Sequence, residues 1–184
     1  MNMRIIKIAD CGKLTAPNTT TLTYNLGIDS TNKTHFRTTD NTTGGLFSTE
    51  WIALDTTLDT VKTAAGEKQF SALIFDRLFT YRSANNAGFL VAALLAEDVL
   101  QRYKKTKRML VLGNPDKFLE DIKPLMNSDT NLHDVIAERL EVRKLREIER
   151  EKALAQVKQA KARQSQAKTS ADKPTKPNTK PNTK

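Results

Sequence analysis

The stretch AGFLVAALLA, residues 87–96, contains no charged side chain and is apolar on every side of a helix. Such a helix must be surrounded by protein, because a surface helix keeps a polar face toward water. It is too short to cross a bilayer, which needs about 20 apolar residues. The sequence therefore predicts a central core helix over 86–103, with Asn85 or Asn86 as its N-terminal cap.

Residues 1–47 have the pattern of β-structure and are rich in Thr. From 22 to 28 every second side chain is large and apolar, which is the period of a half-buried strand. The turn-forming residues 29–33 then lead to a second strand near 34–39, where β-branched Thr packs well on a pleated surface. This segment predicts a β-hairpin or a small antiparallel sheet.

Apolar residues take helical spacing from Ser48, so residues 48–131 are predicted to form a helical body and one compact domain with 1–47. The fold class is therefore predicted to be α+β, with the small sheet packed on the helices. Besides the central helix, the patterns predict helices over 48–65 (with Gly66 as the stop) and 71–81, a buried strand over 108–112, and a helix that begins at Pro115 and is broken at Pro124.

The C-terminal part of the chain has a different composition. A helical pattern over 132–168 becomes almost wholly charged, and its few apolar residues are too sparse for a heptad seam, so a coiled coil is the less favoured interpretation. Residues 169–184 are rich in Lys, Pro, Asn and Thr and cannot bury enough surface to offset their ordering entropy. The sequence predicts a long charged helix followed by a disordered basic tail.

The net charge of +9 is distributed unevenly along the chain. From Lys152 to Lys184 there are nine basic residues and one acid, whereas residues 1–151 contain 21 basic and 20 acidic residues. Within that nearly neutral body, the stretch QRYKKTKRMLVLG, residues 101–113, contains five basic residues and no acid. The chain therefore has two basic features, a 102–108 basic cluster and a C-terminal basic segment.

Both basic features are candidates for contact with nucleic acid without sequence preference. Cations that neutralise phosphates release counterions, so affinity of this kind falls steeply with salt. A solvated turn and a solubilising tail are the alternative interpretations, since cations also stabilise a helix C-terminus. The predicted contact residues are Arg102, Lys104, Lys105, Lys107 and Arg108 in the 102–108 basic cluster, and Lys158, Lys161, Arg163, Lys168, Lys173 and Lys176 in the C-terminal basic segment.

The predicted helices over 71–81 and 86–103, followed by the basic cluster and one strand, superficially resemble a helix-turn-helix with a wing. A reading helix presents polar side chains to base edges, but the second helix here begins with Ala, Gly, Phe, Leu and Val. The wing also lacks a second strand in this prediction. Base-specific readout is therefore not expected.

The sequence offers little for catalysis. Cys11 and His35 could be imagined as a nucleophile and its base. The favoured interpretation is that neither is catalytic, with Cys11 a small buried residue and His35 a surface residue. No His or Cys spacing matches a metal site, and the Gly113 turn lacks the Gly-Lys-Ser/Thr of a phosphate loop. We expect no enzyme activity, no metal and no cofactor. The single Cys and the lack of an apolar leader predict a cytoplasmic protein.

The leading hypothesis is a non-enzymatic, nucleic-acid-associated accessory or regulatory protein whose basic cluster and tail contact phosphates. The runner-up is a protein-interaction module, an inhibitor or adaptor that binds and modulates another protein through its near-neutral body. Neither hypothesis involves a membrane, and homo-oligomerisation stays open.

Overall fold

The computed structural model describes residues 3–65, 68–106 and 108–171, leaving aside the side chains at 65, 160 and 162–171. The fold is α+β, as predicted, and the chain divides into two units, Met1–Ile136 and Ala137–Lys184. The strands are β1 Arg4–Gly12, β2 Thr21–Ile28, β3 Thr34–Asn41, β4 Ile52–Ala53, β5 Leu100–Arg102 and β6 Leu110–Leu112. The helices are α1 Leu54–Ala65, a 3₁₀ helix Ala72–Leu78, α2 Asn86–Ala96, α3 Pro115–Met126 and α4 Val135–Ala171.

The N-terminal sheet is antiparallel, with the strand order β1-β2-β3-β4. Its centre is the predicted hairpin, β2 and β3. Asp29 holds the turn, because its Oδ1 accepts the backbone N–H groups of Thr31 at 2.8 Å and Lys33 at 3.0 Å. Asn32 adopts the left-handed φ of 61° that Asn tolerates in turns. The prediction of a hairpin in this segment is confirmed.

The central core helix that the sequence predicts is α2. Eight of its eleven residues are buried. One face packs against the sheet and the 3₁₀ helix in the main core, and Phe89 packs with Leu22 in a smaller cluster. An apolar helix without a polar face is therefore covered by protein on several sides, as its composition requires.

The central helix ends before the predicted residue 103. Glu97 is the C-cap of α2, and Asp98 adopts φ 55°, a left-handed conformation that turns the chain out of the helix. The Asp98 carbonyl accepts the backbone N–H of Asn114 at 2.8 Å, which ties this turn to the start of α3. Residues 100–102 consequently form β5 instead of continuing the helix.

The first predicted helix begins later than Ser48. Residues 48–53 are not helical, because β4 pairs with β3 and the N–H of Ser48 donates to Asn86 Oδ1 at 2.8 Å. Trp51, which fits a helical spacing, instead lies against the sheet, where a Cβ added at Gly27 would be 2.7 Å from its ring. The predicted stop, Gly66, lies outside the described residues.

Two further helices differ from the prediction in detail. The segment predicted as helix 71–81 is the shorter 3₁₀ helix, with Ser71 at its N-cap position. α3 begins at Pro115 as predicted, and Asn114 Oδ1 accepts the N–H of Lys117 at 3.0 Å. Pro124 lies in the last turn of α3 and does not break the helix, which ends two residues later at Met126.

A buried arginine fixes the segment that leads into α4. Arg37 is 5% exposed, its Nη2 lies 2.6 Å from Asp134 Oδ1, and its guanidinium carbon lies 4.2 Å from the Trp51 ring centre. Asp134 Oδ1 also accepts the N–H of Ile136 at 3.0 Å, which caps the first turn of α4. The start of the long helix is therefore tied to β3 through one carboxylate.

α4 lies three residues later at each end than the predicted helix 132–168. Every described side chain from Ala137 to Lys161 is exposed. Of the predicted disordered tail, residues 169–171 belong to α4 and residues 172–184 lie outside the described residues. None of the helices described here combines the length and the apolar character that a membrane span requires.

Candidate nucleic-acid interface

The 102–108 basic cluster lies on a β-hairpin that sequence patterns do not predict. β5 and β6 pair antiparallel, with Leu100 opposite Leu112. Leu110 also forms a bridge with Phe70, through N–H to carbonyl bonds of 2.9 and 2.8 Å. This single bridge between Phe70 and Leu110 therefore anchors the hairpin to the body.

The tip of the hairpin is ordered by its own backbone. The N–H of Tyr103 donates to the Met109 carbonyl at 2.9 Å, and the N–H of Met109 donates to the Thr106 carbonyl at 3.0 Å. A third bond of 3.2 Å joins the N–H of Thr106 to the Tyr103 carbonyl. The cations at the tip are consequently presented by a hydrogen-bonded turn.

Three of the predicted contact residues project into solvent at this tip. Lys104, Lys105 and Arg108 are exposed, and none forms a hydrogen bond or ion pair within the part of the chain that the structure describes. Lys107 lies outside the described residues. The structure therefore brings three exposed cations without partners among the described residues to one end of a hydrogen-bonded hairpin, where a polyanion can reach them.

The base of the hairpin is held by polar contacts. Arg102 is exposed, but its Nη2 lies 3.5 Å from the Leu14 carbonyl oxygen in the connection between β1 and β2. The neighbouring Gln101 donates from Nε2 to Asp98 Oδ1 at 2.9 Å. Arg102 therefore lies close to the connection between β1 and β2, whereas the three cations at the tip have no such contact with a described residue.

The structure has the element order of a winged helix, but it has no exposed recognition helix among the described residues. The 3₁₀ helix, α2 and the β5–β6 hairpin follow one another, so the prediction that the wing lacks a second strand is wrong. α2 would be the reading helix, yet Ala87, Phe89 and Leu90 in its first half are buried. A helix covered in this way presents no polar side chains to base edges in a groove.

The backbone N–H groups of the Gly113 turn are already bonded within the protein. Gly113 donates to the Val99 carbonyl at 2.9 Å, and Asn114 donates to the Asp98 carbonyl at 2.8 Å. A Cβ at Gly113 would overlap the Asp98 carbonyl oxygen and lie 3.1 Å from its carbon, so the glycine permits a close backbone approach. The turn therefore has a structural role and does not resemble a phosphate loop.

The six predicted contacts of the C-terminal basic segment all belong to the second unit of the chain. Lys158 and Lys161 are exposed on α4, three residues apart and so on one side of the helix. The other four have side chains outside the described part of the structure, namely Arg163 and Lys168 in α4, and Lys173 and Lys176 beyond it.

Cys11 and His35 do not form a catalytic pair. Cys11 is opposite Leu22 on β2, whereas His35 is opposite Gly27 of the same strand, and five residues along a strand span roughly 17 Å. Burial, with the nearby carboxylate of Asp10 as a smaller cause, raises the pKa of the Cys11 thiol to about 11. The thiol is therefore protonated at neutral pH. Among the described residues, no group of three or more His, Cys, Asp or Glu side chains is arranged to hold a metal ion.

Two cations that sequence patterns do not single out lie together on the body. Arg77 of the 3₁₀ helix and Arg82 of the following loop line one groove, together with Leu73 and Asp76. Both arginines are exposed, and neither has a hydrogen bond or ion pair with any residue that the structure describes. Because each is an isolated cation in the sequence, only the fold of the 3₁₀ helix against α2 reveals the pairing.

Comparison with protein-family models, with curated proteins and with solved structures finds no match for this chain. No relative therefore supplies a role for any of its residues. The function has to be inferred from the chemistry of the protein's own surfaces, above all the hairpin tip.

Proposed function

We propose that this protein is a non-enzymatic, nucleic-acid-associated accessory or regulatory protein that contacts phosphates without reading base sequence. The observation that carries the proposal is the position of Lys104, Lys105 and Arg108, which are exposed and uncompensated on an ordered hairpin tip. A cytoplasmic location belongs to the proposal and is suggested by the single cysteine of the sequence.

Lysine and arginine at a bonded turn suit phosphate binding for two reasons. Each cation that neutralises a phosphate displaces condensed counterions, and the entropy of their release drives binding. The ordered backbone of the tip also reduces the entropy that the protein loses when it binds. Contacts of this kind position a protein on nucleic acid but carry no sequence information.

The C-terminal basic segment supports the same function. Lys158 and Lys161 are exposed on α4, and the sequence from Lys152 to Lys184 has nine basic residues against one acid. Such a segment adds phosphate contacts wherever a nucleic acid is long enough to reach it. The hairpin tip and this segment together would make affinity strongly dependent on salt.

The test compares two full-length variants of equal charge change. In the first, Lys104, Lys105 and Arg108 are replaced by Gln; in the control, the exposed lysines Lys62, Lys68 and Lys123 are replaced by Gln. Fluorescence anisotropy measures binding to a duplex of about 20 base pairs at several salt concentrations, with oligothymidylate of similar length as a second probe.

We expect the hairpin variant to lower the slope of log K against log salt by about 2 to 3 on the duplex, and to weaken binding similarly for different sequences. The control variant should change the slope by less than about 1. Absence of salt-dependent binding by the intact chain would overturn the whole proposal. Equal slopes for the two variants would remove the hairpin tip from the interface.

A further inference from the structure

A groove separate from the hairpin tip lies between the last turn of α1, the 3₁₀ helix and the loop that leads into α2. Its volume is about 580 Å³, within the range of roughly 300 to 1,000 Å³ that is usual for binding pockets. Its lining includes Leu73, Asp76, Arg77, Arg82, Ser83 and Asn86.

Core packing and hydrogen bonds to the body fix the two walls of the groove. The 3₁₀ helix is anchored in the core by Phe75, which is fully buried. On the other wall, Asn86 Nδ2 donates to the Tyr81 carbonyl at 2.6 Å, and Ser83 Oγ donates to the Leu46 carbonyl at 2.6 Å. The groove is therefore preformed, so a ligand would not have to order it.

The groove combines an apolar surface with unpaired positive charge. Leu73 is 72% exposed, although large apolar side chains on a helix usually face the core. Among the residues that the structure describes, Arg77 and Arg82 lack ion-pair partners, and Asp76 is the one acid that lines the groove. Arginine is enriched at protein interfaces, where its planar guanidinium binds a carboxylate through two parallel hydrogen bonds.

We propose that this groove binds an acidic segment of a protein partner that carries a large apolar residue beside its carboxylates. The apolar side chain would pack on Leu73, while an Asp or Glu would accept hydrogen bonds from Arg77 and Arg82. A nucleic acid fits less well, because its charged phosphate backbone has no apolar group to pack on Leu73, whereas Asp76 repels a phosphate and a carboxylate alike. The proposal does not depend on the nucleic-acid function, because the hairpin tip does not line this groove.

The test uses the immobilised full-length chain to select from a displayed library of random peptides of about 12 residues. We expect the selected peptides to be enriched in Asp or Glu next to Leu, Ile or Phe. A synthetic peptide of the consensus sequence is then measured by anisotropy against variants of the chain. Replacing Arg77 and Arg82 by Gln, or Leu73 by Ser, should weaken it at least about tenfold.

Two controls separate this site from the other basic surface. Replacing Lys62 and Lys123, which are exposed outside the groove, by Gln should change peptide affinity by less than about twofold. Replacing the three hairpin cations should also leave it unchanged. Failure to enrich peptides, enrichment without acids, or equal binding by the Arg77 and Arg82 variant would overturn the proposal. Displacement of the peptide by oligothymidylate would overturn it too and make the groove part of the nucleic-acid surface.

Discussion

Lys13 is buried although its side chain is a cation. Its Nζ donates to Asn41 Oδ1 at 2.7 Å and to the Thr43 hydroxyl, and it lies 5.0 Å from the centre of the Phe89 ring. These polar atoms and the aromatic face replace water around the charge. The lysine thereby joins the end of the sheet to α2, and it contributes to the fold rather than to a surface that a polyanion could reach.

Cys11 provides a prediction at the scale of one residue. Burial raises its thiol pKa from 9.0 to about 11, so at a pH of about 8 the native chain holds roughly 100-fold less thiolate than the unfolded chain. Iodoacetamide should therefore modify the native protein about 100-fold more slowly than the protein in urea. Mass spectrometry reports the rate for this residue alone, because the sequence has one cysteine.

The same pKa shift fixes the sign of a pH dependence. The unfolded chain releases the Cys11 proton near pH 9.0 and the native chain near pH 11, so this contribution to stability is intact below pH 9 and falls as the pH rises between those values. Cys11→Ser removes the titrating group and serves as the control. Equal losses of unfolding free energy in both proteins, or equal alkylation rates in the native and unfolded states, would contradict the shift.

At the scale of elements, the hairpin of β2 and β3 and the start of α3 can be predicted because their signals are local. Alternating side chains, an Asp-containing turn and an Asn-Pro cap all act within a few residues. β5 cannot be predicted in this way, since Leu-Gln-Arg becomes a strand only by pairing with β6 across the basic turn. The end of α2 cannot be predicted from the sequence either. Its chain reversal uses a left-handed Asp98, a conformation that usually marks a glycine.

Alanine substitutions at two glycines, Gly88 and Gly113, should change the stability of the protein in opposite directions. A Cβ at Gly88 in α2 meets nothing closer than Leu14 Cδ1 at 4.0 Å, so Gly88→Ala should stabilise the protein by about 0.5 to 1 kcal/mol through helix propensity. Gly113→Ala should instead destabilise it by about 2 kcal/mol or more, because the added carbon overlaps the backbone of Asp98. Urea unfolding measures both values. Destabilisation by Gly88→Ala would contradict the open space beside Gly88, and unchanged stability in Gly113→Ala would contradict the close approach to Asp98.

At the scale of the whole molecule, the distribution of charge can be predicted from the sequence, but the role of each surface cannot. The hairpin cations form a run in the sequence, and most Lys and Arg side chains are exposed in proteins, although Lys13 and Arg37 of this chain are buried. The apolar composition of α2 indicates that the helix is buried, yet no local pattern shows that the N-terminal sheet is what covers it. The groove at Arg77 and Arg82 likewise cannot be predicted from local patterns, because three separate elements form its walls.

The two basic features belong to different units of one chain, which leads to a prediction about the length of the nucleic acid. Two contact modules on one chain bind a long polyanion more tightly than either does alone, because the second contact is intramolecular. On a duplex of about 40 base pairs, replacing either the hairpin cations or the set Lys158, Lys161, Arg163 and Lys168 by Gln should cost at least about tenfold in affinity.

On a duplex of about 8 base pairs, which offers few phosphates, we expect the second contact to add less, so that the two modules act more nearly as alternatives whose affinities add. Replacing the weaker module should then change affinity by less than about twofold, whereas replacing both should remove most binding. The triple variant of Lys62, Lys68 and Lys123 removes as many charges as the hairpin variant and is its control at both lengths. If each replacement cost the same factor on short and long duplexes, the intramolecular second contact would add nothing to affinity, and the prediction of two separate modules would be wrong.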